Sequence, residues 1–396
     1  MNPFNKNLVE RFVGKQFRTI TEVLNSVGTP CETCDVTQED INDLHEFVEY
    51  MDFLTEQTIS LPQVSAEKPG SVSWGTVKAG LDKVKGRAWK APGAEKTARE
   101  ITGLKKRDLF GTEGSNPKLA KEGEVVPEYK TIGLSLSPST ESGRTNTCAC
   151  ATEECRAACL NKSGRGAQKG VQKARLERTN MLLDNPEHFM TVVHHEIDKH
   201  ERSATKQGKK AAVRLNVVSD IPHEKLHPEV FSDHPNVQFY DYTKIAGRVL
   251  TPEGTKRQLP PNYHLTLSST GIEGAESNWH HARQHLNNGG TVAMVFAARS
   301  GRKGKKRTIP GDTLPSHVID EATGKKYRVI DADTHDHRHL DKKYHGIPEE
   351  EGIIAGLRIK GGMPMLKKAG NFAVKMPDFN GSPVVVPASH PANQQK

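Results

Sequence analysis

The sequence has no run approaching the ~20 consecutive apolar residues a membrane-spanning helix needs, which excludes an integral membrane protein. Its opening stretch, MNPFNKNLVERF, lacks the apolar core of a secretory signal peptide. Cysteine is scarce. Six in 396 residues, with no leader, do not make a disulfide framework, and a reducing interior turns clustered thiols toward metal binding. Hydrophobic residues are a lean 34%, enough for a core beneath a wet surface. They fall in short, separated, strand-like segments, which excludes collagen, a coiled coil and full disorder. No internal repeat is visible.

What is present is charge. Fifty-six basic against 48 acidic residues leave +8, compatible with a nucleic-acid partner. The length allows one large domain or two to three ordinary ones. Residues 1–60 read as a helical N-terminal segment: Leu44, Phe47, Val48, Met51 and Leu54 recur at helical spacing behind a cap-like Thr37–Asp40. Residues 61–125 are punctuated by Pro62, Pro69, Pro92 and Pro117 and dense in Lys and Arg, which reads as a basic linker or long loop.

From 126 to 376 the pattern predicts an α/β catalytic domain. β-rich runs at 132–136, 211–218, 237–242, 263–267, 291–297, 327–330 and 353–359 alternate with helical stretches at 170–184, 186–203, 225–232 and 277–286. Such alternation implies right-handed βαβ units and a mostly parallel sheet, and six or seven strands suit an incomplete or decorated (β/α) barrel. Residues 377–396, with four prolines, read as a flexible tail.

The sharpest feature is Cys148-Ala-Cys150-Ala-Thr-Glu-Glu-Cys155-Arg-Ala-Ala-Cys159, four thiols within twelve residues. Thiolates suit zinc or an iron–sulfur cluster, and zinc in a structural role is the favoured reading. Cys31 and Cys34 form a lone CxxC. Arg156, Lys162, Arg165, Lys169, Lys173, Arg175 and Arg178 follow the cluster with interleaved glycines, and Arg299–Arg307 forms a second basic block. Both suit phosphate.

Polar, reactive side chains stand at the expected C-terminal strand ends, where α/β folds place ligands. One strand carries Arg214 and delivers Ser219 and Asp220; the next carries Tyr240, Tyr242 and Lys244; a third ends in Ser268; a later one ends in Asp331, Asp333, His335, Asp336, His337, Arg338 and His339. A carboxylate there can attack an anomeric carbon while a second serves as acid or base. The Asp331–His339 run can alternatively hold a divalent metal. His194-His195 and His280-His281 read as surface or boundary histidines of helices.

In order, the Cys cluster, the basic helix, Arg214-x-x-x-x-Ser-Asp220, Phe239-Tyr-x-Tyr-Thr-Lys244, Asp331-x-Asp333-x-x-Asp336-x-Arg338 and Gly356–Gly361 resemble a family of bacteriophage proteins. That family was first named only as a phage gene product and later linked to phage DNA deazaguanine transglycosylases. These are similar to tRNA-guanine transglycosylases, (β/α) barrels with a structural zinc. The resemblance covers about residues 130–362. It implies exchange of guanine in DNA for a 7-deazaguanine such as preQ0, in the cytoplasm of an infected host cell. It implies Asp220 and Asp333, with Asp331 nearby, as nucleophile and acid/base in either order. It implies Arg214, Ser219, Tyr240, Tyr242, Lys244, Ser268, Asp336 and Arg338 as substrate-binding, and DNA and a small base as partners. The family's three spaced thiols match Cys148, Cys155 and Cys159, with Cys150 extra, and Ser219 stands where the family tends to carry Gly. The residues leave two other readings open: a metal- or iron–sulfur-dependent nuclease-like enzyme, and a non-catalytic zinc-containing DNA-binding protein.

Overall fold

A computed structural model describes residues 71–104, 108–112, 124–274, 276–299, 302–303, 308–309 and 311–388. In chain order its strands are β1 (Phe110–Thr112), β2 (Tyr129–Leu134), β3 (Lys210–Arg214), β4 (Val237–Thr243), β5 (Tyr263–Ser268), β6 (Thr291–Arg299), β7 (Arg302–Lys303), β8 (Thr308–Ile309), β9 (His317–Asp320), β10 (Lys325–Asp331), β11 (Ile353–Ile359) and β12 (Val384–Val386). Ten of them form one sheet in the order β1-β2-β3-β4-β5-β6-β11-β10-β9-β12. The run from β2 to β10 is parallel throughout, as the βαβ alternation predicts. β1 and β9 flank it antiparallel, and β12 lies parallel on β9.

The expectation of a (β/α) barrel needs correcting at its most specific point: the sheet is not closed. Closure would require β10 to pair with β2, but its free side is taken by the short antiparallel β9, and β1 occupies the free side of β2. Strand-helix alternation fixes parallel pairing and leaves closure undetermined.

The helices are α1 (Trp74–Leu81), α2 (Ala94–Ile101), α3 (Glu153–Ala157), α4 (Lys169–Asp184), α5 (Pro186–Lys206), α6 (His223–Leu226), α7 (Glu229–Ser232), α8 (Trp279–Asn287), α9 (Asp341–His345) and α10 (Gly362–Ala369). α5 starts with proline at its first turn, where the missing N–H costs nothing. Its buried Phe189, Met190, Val193, Ile197 and Ala204 recur at helical spacing, and it packs on β2 and β3.

Side chains alternate across the sheet, so the two faces have separate neighbours. On the outer face Phe239 and Tyr263, paired in register, meet Phe231 of α7 at ring-centroid distances of 4.9 and 4.6 Å. On the inner face Tyr129, Ala212 and Tyr240 pack with Val126 and Leu340, and Ile330 and Ile353 pack with Ile347. Leu340 and Ile347 belong to the long connection from β10 to β11, which therefore crosses the inner face.

Two stretches are more ordered than their composition implies. The 61–125 region, read as a linker, contains α1, a 3-10 segment Asp82–Lys90, α2 and β1. Val77, Leu81, Trp89 and Ala98 are buried there, and Trp89 Nε1 donates to Asp233 at 2.8 Å. The tail supplies β12, paired to β9. Residues 1–60, with the CxxC of Cys31 and Cys34, lie outside the described residues. Among the described residues no helix is long and apolar enough to cross a membrane.

Candidate active site

A parallel sheet brings the C-terminal ends of its strands to one edge, and Asp220 sits there, in the loop leaving β3. Asn216 shapes that loop: its Oδ1 accepts from Ser219 Oγ (2.9 Å) and Ile221 N (2.8 Å), and its Nδ2 donates to Ile221 O (2.9 Å). Ser219 is thus a buried turn residue rather than a ligand-facing one. Asp220 N donates to Thr147 O at 2.7 Å, tying the loop to the segment before the thiols. Its Oδ2 accepts from the backbone N of Lys244 (2.7 Å), and its Oδ1 from Arg248 Nη1 (2.5 Å). The Asp220 side chain keeps 10% exposure while that of Arg248 has 0%.

Arg248 is held as a fixed fork. Its Nε and Nη2 donate to the two oxygens of Glu224 at 2.8 Å each, and Nη2 also to Tyr263 OH at 2.8 Å. Burial works against its charge, yet Glu224 and Asp220 hold it well above the ordinary arginine range. Asp241, on the same side of the sheet, accepts from Asn216 N (2.8 Å) and Tyr263 OH (3.3 Å). Burial pushes its carboxyl up to about 6. Arg248, Glu224, Asp241 and Tyr263 have no motif-like spacing. The one signal for them was their placement in or just after the strands that carry the candidate residues.

Lys244 Nζ donates to Ser268 Oγ at 2.9 Å and lies 5.1 Å above the Phe372 ring. The strand ends of β4 and β5 are thereby joined beside Asp220.

The carboxylates after β10 divide into two groups. Asp331 and Asp333 both accept from Arg358 Nη1, at 2.8 and 3.0 Å, and Asp333 also pairs with Lys360. Asp336 instead reaches across to the opposite side of the sheet order: Oδ2 accepts from Arg214 Nη1 of β3 at 2.6 Å and Oδ1 from Tyr242 OH of β4 at 3.1 Å. Burial opposes the charge of Arg214, and Asp336 beside it more than compensates. Three residues of extended chain span at most ~11 Å, so this contact brings Asp333 within that reach of a residue bound to β3. The connection from β10 thus crosses the inner face to reach β3 and β4.

Farther along the same connection, His337 Nε2 lies 3.2 Å from Thr131 Oγ1 and its ring 4.8 Å from Tyr240. Arg338 pairs with Asp341 at 3.1 Å, and burial pushes the Asp341 carboxyl up to about 7. Tyr240 and Arg338 are both buried, so they line the packed inner face. Of the histidine pairs, His195, His280 and His281 are half-buried as a boundary position implies, and His194 differs. His194 is fully buried, with Nδ1 3.0 Å from His234 Nε2 and Nε2 2.8 Å from His227 Nε2. His195 bonds the Trp89 carbonyl.

Cys148 Sγ lies 3.6 Å from Val218 O and accepts from Ser139 N at 3.2 Å; Cys159 Sγ accepts from Asn161 N at 3.5 Å. Burial pushes the Cys148 and Cys150 thiols up to about 12, with the negative charge of Asp220 adding to it. Thiols so raised are protonated, and a metal would have to displace those protons. Among the described residues no three or more His, Cys, Asp or Glu side chains are grouped to hold a metal ion. The donor types of Cys148, Cys150, Cys155 and Cys159 suit zinc. A surface cavity lined by Pro228, Phe231, Pro235, Pro260 and Pro261 opens where β4 and β5 begin, away from these carboxylates.

The family model described as "Gene product 88" matches residues 104–369. No curated protein and no solved structure matches the chain.

Proposed function

From the membership of this chain in the gene product 88 family, and from the site at its strand ends, we propose that the protein is a DNA-modifying transglycosylase of the infected host cytoplasm, exchanging guanine in DNA for a 7-deazaguanine base. The observation that carries the reading is the Asp220 carboxylate, partly exposed at the strand-end edge and aimed by Arg248 and the Lys244 amide, with Lys244 joined to Ser268 beside it. The open, mostly parallel sheet is read as an incomplete (β/α) barrel.

In this reading Asp220 is the nucleophile. Arg248 and the Lys244 amide occupy two lone-pair positions of its carboxylate and fix its direction; a carboxylate has about four, so attack remains open to it. The Asp220 oxygen bonds to C1′ of a deoxyguanosine as the C1′–N9 bond breaks, and guanine leaves with the electron pair and takes a proton from water. Asp333, as the carboxylate that pairs with Arg358 and Lys360, accepts the N9 proton of the incoming deazaguanine and passes it to the hydroxide, and the deazaguanine attacks C1′, releasing Asp220. Lys244 and Ser268 orient the base by hydrogen bonding, and Arg214, Tyr242 and Asp336 position the edge. The target nucleotide leaves the stack at a cost of a few kcal/mol. No step requires the thiols.

The test is incubation of the protein with duplex DNA and a radiolabelled 7-deazaguanine base, followed by nucleoside analysis. Label in the DNA, lost on the order of 10⁴-fold or more in Asp220→Ala, is the expected result. Bound DNA that never acquires label would leave a binding protein in place of an enzyme.

A further inference from the structure

The thiol segment leads directly into a small arch made of two 3-10 turns, Leu160–Lys162 and Gly164–Ala167, which ends at the start of α4. Two contacts fix this arch beside the site. First, Ala158 shares an apolar cluster with Ile359, Met365, Ala369 and Ala373, so the arch is anchored to the end of β11 and to α10. Second, Gly361, at φ 91°, brings the chain so close that a Cβ there would lie 3.2 Å from Ser163 Cβ. On its other side the segment joins Asp220 through the Thr147 carbonyl. The arch therefore stands at the strand-end edge, between Asp220 and α10.

The charges on this arch are sorted. Residues 153–178 hold seven Lys or Arg and three Glu. Arg175 and Arg178 turn inward, where burial lowers them from the ordinary arginine value, and Arg175 bonds Asn161. Glu141 is taken up by the Asn161 amide at 2.5 Å, and Glu154 lies against Gly370. Arg156, Lys162, Arg165 and Lys169 face solvent, as do Lys367 and Lys368 in the last turn of α10. The first turn of α4 carries no acidic residue. Glu141 lies 4.0 Å from Lys162 Nζ and Glu153 is exposed, but the cations outnumber these acids, and such a row matches a polyphosphate backbone.

Resting on the proposed function, we infer that Arg156, Lys162, Arg165 and Lys169, with Lys367 and Lys368, form a phosphate-binding rim that lays the backbone of duplex DNA alongside Asp220 and Lys244. The inner arginines are the frame of the rim and the outer cations its contacts. Binding through such a rim is governed by counterion release, so its signature is a salt slope as well as an affinity.

The experiment is fluorescence anisotropy with a labelled duplex of about 25 base pairs from about 50 to 200 mM salt. Three proteins are compared: wild type, Lys162→Ala/Arg165→Ala/Lys169→Ala, and Lys325→Ala/Lys326→Ala, the last at the opposite end of the sheet, where β10 starts. The rim variant is expected to weaken binding about tenfold or more at 100 mM salt and to lower the slope of log affinity against log salt by about 3, one per lost contact; the control keeps the wild-type slope. All three should melt alike. No binding by wild type, an unchanged slope in the rim variant, or an equal loss in the control would overturn the rim. Equal affinity for duplex RNA would overturn DNA as the partner. Label transfer is scored separately at saturating DNA: wild type that shows the salt slope but transfers no base refutes the enzyme and leaves the rim standing.

Discussion

Around Phe231 the outer face of the sheet meets its helices through carbon, with the buried Arg248–Glu224–Tyr263–Asp241 network beside it, whereas the inner face meets the β10–β11 connection through Leu340 and Ile347 and also through imidazoles, guanidinium groups and carboxylates. Outside, Phe239 and Tyr263 pack on Phe231, and Val292, Met294 and Ile354 are closed over. Inside, Asp336 bonds Arg214 and Tyr242, His337 touches Thr131 and Tyr240, and the His339 ring lies 6.1 Å from that of His264. Apolar packing feels the loss of even one methylene but has no proton to gain or lose. A packed polar lining depends on every partner staying in its right protonation state.

Acidification should show the contrast most strongly. Burial lowers His337 and His264 to about 3 and His335 and His339 to about 4. These histidines are neutral when folded and take up protons near 6.5 when unfolded, so their contribution is present above pH 6.5 and lost as pH falls toward 4. Asp341 and Asp241, raised to about 7 and about 6, act oppositely and offset part of this, since the folded chain protonates them first. Buried His223, lowered to about 3, and His200 and His285, lowered to about 4, add to these four, so unfolding free energy should drop by at least about 3 kcal/mol per pH unit across that window. Urea denaturation at a series of pH values measures it; a flat profile would break the comparison.

Asp336→Ala should follow, at about 3–5 kcal/mol, because it leaves Arg214 buried without its closest carboxylate. Ile354→Val, on the outer face, should cost about 0.5–1.5 kcal/mol and leave the pH profile unchanged. The smallest effect belongs to Tyr344→Phe, which removes a 2.5 Å bond to Glu128 at the exposed end of the connection and should cost about 1 kcal/mol or less. A loss in Tyr344→Phe as large as that in Asp336→Ala would mean the connection is held from its exposed end rather than from Arg214.

The outer face was the legible one. Runs at 237–242, 263–267 and 353–359 read as strands because β-branched and aromatic residues cluster there, and they match β4, β5 and β11 closely. Helix 186–203 declared itself by its proline and its periodic apolar residues. Strands of three or four residues such as β1, β9 and β12 carry too little pattern to be seen, and α1 and α2 were hidden by surrounding glycine, proline and lysine. The site was legible by residue type only. That Asp220, Lys244, Ser268 and Asp336 belong together followed from their strand-end positions. That Asp336 selects Arg214, 122 residues away, depends on the path of the β10–β11 connection over the inner face, which local sequence does not encode. Arg248 was missed for the same reason: a lone arginine in a 3-10 turn becomes significant only once Asp220 and Glu224 close around it.

The most direct test is to look for the covalent sugar–enzyme intermediate. The protein is mixed with guanine-containing duplex DNA without an incoming base, quenched in denaturant, and the DNA-linked peptide identified by mass spectrometry. The account predicts a DNA adduct on Asp220 that disappears in Asp220→Ala and is discharged when a 7-deazaguanine base is added. An adduct on another residue, or none from protein that binds the duplex fully, would contradict it.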